Sequence, residues 1–211
     1  MTTIALVDAA IGRGLSAAVP PLTLELTPGV PYAIAVETDE RPLLVSMLLG
    51  GRVKPDSGSV FVDGAADLDA LRLRTALVDT PVVAEPTPGA TLAVAVAEDF
   101  SFSGRTTSRR AVRSFLADHG LSDYSAVPLR ALPSADRVRL FSELALLRAG
   151  VDTLVVTSPE RHGGDPAEWF DTLSSIAARG LTVAIVTDLA TSDILISLGA
   201  RDALAPAGIE S

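Results

Sequence analysis

The stretch that decides the fold is residues 43–64, LLVSMLLGGRVKPDSGSVFVDG. Leu43 to Leu49 is an apolar run of helical length, and Gly50-Gly51 stops it. Lys54-Pro55-Asp56-Ser57-Gly58 carries a turn. Ser59 to Asp63 (SVFVD) reads as a strand, and Gly64 closes a second turn. The order is therefore helix, tight turn, strand, tight turn within 22 residues.

Upstream, Ile4–Val7 reads as a short strand, and Leu22–Leu26 (LTLEL) alternates as a half-buried one. Pro28-Gly29 turns the chain into Tyr32–Val36 (YAIAV), a buried strand. Downstream, Thr75–Val78 is another short strand, and the Pro-rich segment 79–90 is a loop. Residues 91–131 are helical in pieces. The best piece is Ser108–His119, with Val112, Phe115 and Leu116 on one face and Gly120 just past its end. A helix is predicted over 134–149, then a core strand at Thr153–Val156, a helix over 166–179 and a core strand at Leu181–Val186. The tail from Ile194 to Ile209 has room for one helix and a last short strand. The strand–helix–strand order, with β-branched and continuously apolar runs, predicts a mainly parallel α/β sheet covered on both faces. The start predicts a small antiparallel β region, and the middle a helical insertion.

Composition narrows the function. The 211 residues are 48% hydrophobic, with 17 basic against 26 acidic side chains and a net charge of −9. One domain with a sizeable core fits, and an acidic surface argues against sequence-independent nucleic-acid binding. With no cysteine and only His119 and His162, disulfides, thiolate chemistry and an all-protein zinc site are excluded or poorly supplied. No apolar run is long enough to cross a bilayer, and MTTIALVDAA lacks the basic start of a secretory signal, so a cytoplasmic protein is expected. Sixteen of the 17 basic residues are arginine, a bias of GC-rich genomes; the only lysine is Lys54.

This order of elements, with its spacings, resembles the nucleotide-binding domain of ABC-transporter ATPases over nearly the whole chain. Lys54-Pro55-Asp56-Ser57-Gly58 and Val62-Asp63-Gly64 match that family's link after the phosphate-loop helix. FLADHGL followed by LRALPSADRVRLFSELALL is similar to its helical subdomain, signature motif and the next helix. DTLVVTSPE and ARGLTVAIVTD resemble its Walker B strand and its last core strand with the switch loop. The resemblance implies a P-loop NTPase-like fold in one domain, residues 1–211. Residues 1–78 and 150–211 would form the core and β region, and about 79–149 the Q-loop-like segment and helical subdomain.

The residues that such a site needs are replaced. A phosphate loop uses glycines that bring backbone N–H groups to the phosphates, a Lys for the β and γ phosphates, and Ser or Thr for magnesium. The aligned positions here are Val36, Glu37, Thr38, Asp39, Glu40, Arg41, Pro42, Leu43 and Leu44. Pro42 stands in the Lys place, and sliding by one puts Arg41 there. Thr38 or Asp39 is suited to cap the helix, with Pro42 in its first turn. Glu37, Asp39 and Glu40 against Arg41 make the loop acidic. Thr157 and Ser158 take the Walker B carboxylate places, and neither polarises water at neutral pH. The signature-like residues are Leu132, Pro133, Ser134, Ala135 and Asp136; the switch position is Asp188; the Q-loop position falls near Thr80, and the chain has no Gln. No aromatic lies near residues 10–14 to stack on adenine. Glu160 is expected as a solvated loop charge, His162 as a surface-loop histidine, and Arg137 and Arg139 as solvating an exposed helix. Trp169 and Phe170 are expected in the core, and a hydrolase elbow around Ser158 is lacking.

The pattern of loss predicts a pseudo-ATPase with no catalytic residue, no metal and no cofactor. It would act as a scaffold or regulatory partner, docked on a permease-like integral membrane protein or on an ABC-type ATPase, as a homodimer or heterodimer. The cytoplasmic face of the inner membrane would be its place. The alternative is an ABC transporter ATP-binding protein that still binds or slowly hydrolyses ATP with magnesium through a non-standard site, with Arg41 as its cation.

Overall fold

The computed structural model describes residues 1–37, 40–87 and 89–204. Two sheets organise them. The first is antiparallel, in the order β2-β1-β4: β1 is Ile4–Ile11, β2 Val19–Leu26 and β4 Ser57–Val62. The second is parallel, in the order β5-β6-β7-β3-β8: β3 is Tyr32–Ala35, β5 Thr75–Val78, β6 Thr153–Thr157, β7 Thr182–Thr187 and β8 Arg201–Asp202. The helices are α1 (Arg41–Leu49), α2 (Leu68–Arg74), α3 (Leu92–Phe102), α4 (Arg109–Asp118), α5 (Ser134–Ala145), α6 (Pro166–Ala177) and α7 (Leu189–Ser197).

The parallel sheet is apolar on both faces because it separates two cores. Val183 and Ile185 of β7, with Leu154 and Val156 of β6, face α3, α5 and α6. Ala184, Val186 and Val155 point the other way, into a core shared by α1 and the antiparallel sheet. The period-two alternation of side chains makes each strand serve both cores, which is why its sequence reads as an unbroken apolar run. Trp169 is fully covered and Phe170 nearly so, as expected for the α6 face on the first core.

The opening stretch folds for local reasons. Helix α1 ends at Leu49, and Gly50 caps it by returning its N–H to Leu48 and Ser46 carbonyls. Asp56 then ties two segments together: its N–H donates to Ala10 O at 2.8 Å, and its carboxylate accepts from Gly12 N at 2.7 Å. The register of β1 against β4 slips between Val7 and Ala10, where Asp8 adopts a φ of +48°. Gly58 sits against that bulge with no room for a side chain.

Several elements differ from the sequence expectation. Helix α2 was not foreseen, because its seven residues carry one buried apolar anchor, Leu71; Asp67 caps it by accepting from Asp69 and Ala70 N–H groups. Strands β1 and β2 each run eight residues, longer than the alternation suggested, since the bulge in β1 and Pro20-Pro21 in β2 break the pattern. Helix α5 stops at Ala145 and α7 begins at Leu189, where Asp188 caps it by accepting from Thr191 N at 2.7 Å. The predicted tail ends in the two-residue strand β8; its part from residue 205 on lies outside the described residues.

Candidate functional site: the cleft at the strand ends

The carboxyl ends of β3, β6 and β7 open into a cleft of about 730 Å³ lined by Val36, Glu37, Pro42, Ser158, Glu160, Asp188, Leu189, Ala190 and Asp193. Crevices at strand ends are where parallel α/β sheets place ligands. The sheet brings Glu37 and Pro42 of the Walker A-like positions, Ser158 of the Walker B-like ones and the switch-like Asp188 to this one cleft. Among the described residues the lining has four carboxylates, Glu37, Glu160, Asp188 and Asp193, and no cation.

Each of these positions has a local structural explanation. Helix α1 starts with Pro42 in its first turn, and its N-cap residue, Glu40, makes no side-chain cap bond. Thr38 and Asp39, the expected caps, lie outside the described residues. Arg41 turns its Nε to Ala18 O at 2.9 Å, tying α1 to the start of β2 and leaving the cleft without its guanidinium. Leu43 and Leu44 are half-buried. Ser158 adopts a left-handed conformation and donates its backbone N–H to Val186 O at 2.7 Å.

Beneath the cleft, three hydroxyls bond in a chain. Thr157 Oγ1 lies 2.8 Å from Ser46 Oγ and 2.7 Å from Thr80 Oγ1, all three buried. Thr157 and Thr80 are the Walker B-like and Q-loop-like positions; Ser46, one turn into α1, was not singled out in the sequence. A hydroxyl both donates and accepts, so three of them satisfy one another without a charge or an ion.

Three expectations for charged residues are corrected. Glu160 is half-buried, not a solvated loop charge, and accepts from Thr187 Oγ1 at 2.8 Å. Burial pushes its carboxyl above the usual range, the neighbouring charge of Asp188 adds to this, and the Thr187 bond opposes it. Arg137 is 4% exposed and does not solvate its helix; it clasps Asp79, itself 5% exposed, through Nε to Oδ2 at 2.6 Å and Nη2 to Oδ1 at 2.7 Å. Arg139 is half-buried and donates to His119 O and to Asp136, so the signature-like carboxylate is already paired. His162 is half-buried rather than on the surface, and its Nε2 lies 2.7 Å from Asp79 Oδ2, off the line of a good N–H···O bond.

Asp79 is the hub of this second cluster. Arg161 donates to Asp79 O at 2.6 Å, to Thr157 O at 2.9 Å and to Glu85 at 3.1 Å. Burial pushes the Asp79 carboxyl up, but the bonds from Arg137, the close approach of His162 and the charges of Arg137 and Arg161 outweigh it and hold the group below the usual range. Oxygen and nitrogen atoms of Asp79, Glu85 and His162 lie within 4.8 Å of one another, a spacing that metal ligands share. Two guanidiniums already occupy those carboxylates, and their charge beside the group opposes a further cation. The cluster is an ion-pair network. It joins the loop after β5, the helix that follows the signature-like residues and the turn after β6. No sequence spacing pairs Asp79 with Arg137, 58 residues apart; only a surplus arginine on an apolar helix face signals it.

A second groove, about 420 Å³, runs between the loop after β5 and α3, with Val83, Ala84, Pro86, Phe102 and Phe141 on its walls and Asp99 among them. Burial pushes the Asp99 carboxyl up to about 6, with Arg148 opposing and Glu98 reinforcing the shift. A carboxyl raised on folding costs stability once both states ionise. The cost is absent below the unfolded pKa, about 4, and complete above about 6. Asp99→Asn is therefore expected to raise stability at pH 7 by about 1–3 kcal/mol and to leave it unchanged near pH 4, as read from urea midpoints.

No known family pattern matches the chain, and no curated protein matches it in sequence. Solved structures do. A nucleotide-free ATP-binding cassette from an ABC transporter superposes with a TM-score of 0.67 at 16% identity, covering 93% of this chain and 85% of that one. The fold is that of an ATP-binding cassette. An ATP-binding subunit of an ABC transporter gives a TM-score of 0.62 at 14% identity, covering 91% and 82% of the two chains. An ATP-bound bacterial Atm1-family ABC exporter gives 0.62 at 13% identity, where the match covers 90% of this chain but 35% of the exporter. Among the described residues no helix is long and apolar enough to cross a membrane.

Proposed function

We propose that this cassette is a catalytically degenerate ABC-type subunit, a pseudo-ATPase that serves as scaffold or regulatory partner of a membrane transporter or ABC-type complex. The observation that carries this reading is the cleft itself: among the described residues, four carboxylates and no cation line the place where a polyphosphate would sit. Like charge at that seat repels phosphate, and a charged group buried without a partner is costly. Two further features support it. The hydroxyl chain Ser46–Thr157–Thr80 leaves the Walker B-like corner neutral. The Asp79 network binds the helical region to the sheet side of the molecule, which suits a part that holds one arrangement rather than one that cycles.

The groove between the loop after β5 and α3 is the docking place in this reading. Its apolar residues Val83, Ala84, Pro86 and exposed Phe102, mixed with Glu85, Glu98 and Arg148, suit an amphipathic helix of a permease-like partner. Nucleotide titration of the purified chain tests the proposal. A ligand at 100 times its Kd stabilises a fold by about 2.7 kcal/mol, so a bound nucleotide is easily seen in Tm. Millimolar ATP, with or without magnesium, is expected to leave Tm unchanged. A rise in Tm that is lost in Arg41→Ala would overturn the pseudo-ATPase reading in favour of a non-standard ATP site. A native pull-down from membranes that recovers no integral membrane protein and no ABC-type ATPase would overturn the docking role.

A further inference from the structure

On the far side of α3, away from the docking groove, a hollow of about 360 Å³ lies between α3 and α4. Ala93, Val94 and Ala97 of α3 and Val112 of α4 make its apolar lining, and Arg109 and Arg113 of α4 bring two guanidiniums to it. Ser108 starts α4 by accepting from Ala111 N, and this sets Arg109 and Arg113 one turn apart on one face while Val112 and Leu116 are buried on another. Arg105 and Arg110, also exposed, add to the positive field. Among the described residues none of these four arginines has an ion-pair partner within reach. The first acidic residue on the helix is its last, Asp118. On a chain of net charge −9, four arginines in residues 105–113 are a patch of opposite sign.

We propose that the α3–α4 hollow binds an anionic phospholipid, with Arg109 and Arg113 on the phosphate and the start of an acyl chain on Val94, Ala97 and Val112. A guanidinium presents paired N–H donors that match phosphate oxygens, and arginine clusters on an amphipathic helix favour an anionic bilayer surface. The apolar lining selects among anions. A free phosphate or a nucleic-acid backbone uses the arginines alone; an amphiphile uses both halves of the hollow, and 49%-exposed Val94 is covered only by the latter. The inference stands apart from the reading of the strand-end cleft and survives its failure.

Co-sedimentation of the full chain with vesicles tests it. Binding is expected to mixed phosphatidylglycerol–phosphatidylcholine vesicles, to weaken with salt, and to be absent with phosphatidylcholine alone. The double variant Arg109→Glu/Arg113→Glu is expected to lose affinity at least about tenfold, and Val94→Ser several-fold. Lys54→Glu/Arg13→Glu, which changes net charge equally at exposed positions elsewhere, is expected to retain binding; circular dichroism checks that all variants fold. Equal binding to neutral vesicles, equal loss in the Lys54/Arg13 variant, or full binding by Arg109→Glu/Arg113→Glu overturns the proposal. Indifference to Val94→Ser together with competition by inorganic phosphate reduces the site to a phosphate subsite and overturns the lipid assignment. Tighter binding to single-stranded RNA, lost in the same arginine variant, does so in favour of nucleic acid.

Discussion

Arg137→Met is expected to destabilise the protein by about 3–5 kcal/mol, because it strands the Asp79 carboxylate in a buried site. Arg161 and His162 remain beside that carboxylate and soften the loss, so the lower part of the range is the better expectation. The double variant Asp79→Asn/Arg137→Met is expected to recover most of it, since no buried charge is then left unpaired. Asparagine is the right partner substitution: Asp79 has a φ of +52°, a left-handed conformation that Asn tolerates and larger residues resist. The Asp79 carboxyl is held below its usual range in the folded state. Its contribution is therefore complete above the unfolded pKa, about 4, and lost as pH falls through the lower folded value. The wild type should lose stability steeply on acidification below about pH 4, and the double variant should show a shallower fall. Urea midpoints across a pH series measure both effects; a single Arg137→Met variant as stable as the wild type would remove the network from any structural role.

Gly58→Ala is expected to cost about 4 kcal/mol or more, enough to leave much of the population unfolded in a domain of ordinary stability. Gly58 has a φ of +73°, and a Cβ added there would lie 2.1 Å from Asp8 O and 2.4 Å from Val7 O. Both atoms belong to the backbone of the neighbouring strand, so no side chain can rotate aside. The contact is fixed from two directions, by the Asp56 bonds to Ala10 and Gly12 and by the bulge at Asp8. Alanine must either part β1 from β4 or move the bulge. Either change opens the antiparallel sheet over the core that contains Val45, Leu48 and Leu49 of α1. Loss of soluble expression, or a urea midpoint far below wild type, is the readout. A near-neutral effect would mean that the β1–β4 register is not held as described.

The two variants bear on different kinds of information. The break between α1 and β4 was legible at once in Pro55-Asp56-Ser57-Gly58, although Ser57 and Gly58 belong to strand β4 itself and not to the expected turn. The parallel sheet was legible too, because Thr153–Thr157 and Thr182–Thr187 are buried on both faces and their sequence records it. The positions Glu37, Pro42, Ser158 and Asp188 were singled out through the family resemblance, and they line one cleft. Glu160, Arg137 and His162 were misread, all for one reason: each looks like surface charge by composition and is covered only by a chain segment distant in sequence. Arg137 meets Asp79 across 58 residues, and Glu160 meets Thr187 across 27. Ser46 escaped notice because a serine inside an apolar helix gives no hint of Thr157, 111 residues on.

By itself, then, the sequence determined most of the elements, though not α2, together with the parallel sheet and the lack of a lysine at the start of α1, since periodicity, turn residues and residue identity are local properties. Lys54 stays where the sequence put it, exposed in the turn after that helix. Tertiary structure alone decided what the vacated positions became: an acidic cleft, a neutral chain of three hydroxyls and a buried ion-pair hub. Those depend on which distant side chains are brought within hydrogen-bond reach and shielded from water, and burial sets the strength and the sign of every charge in them.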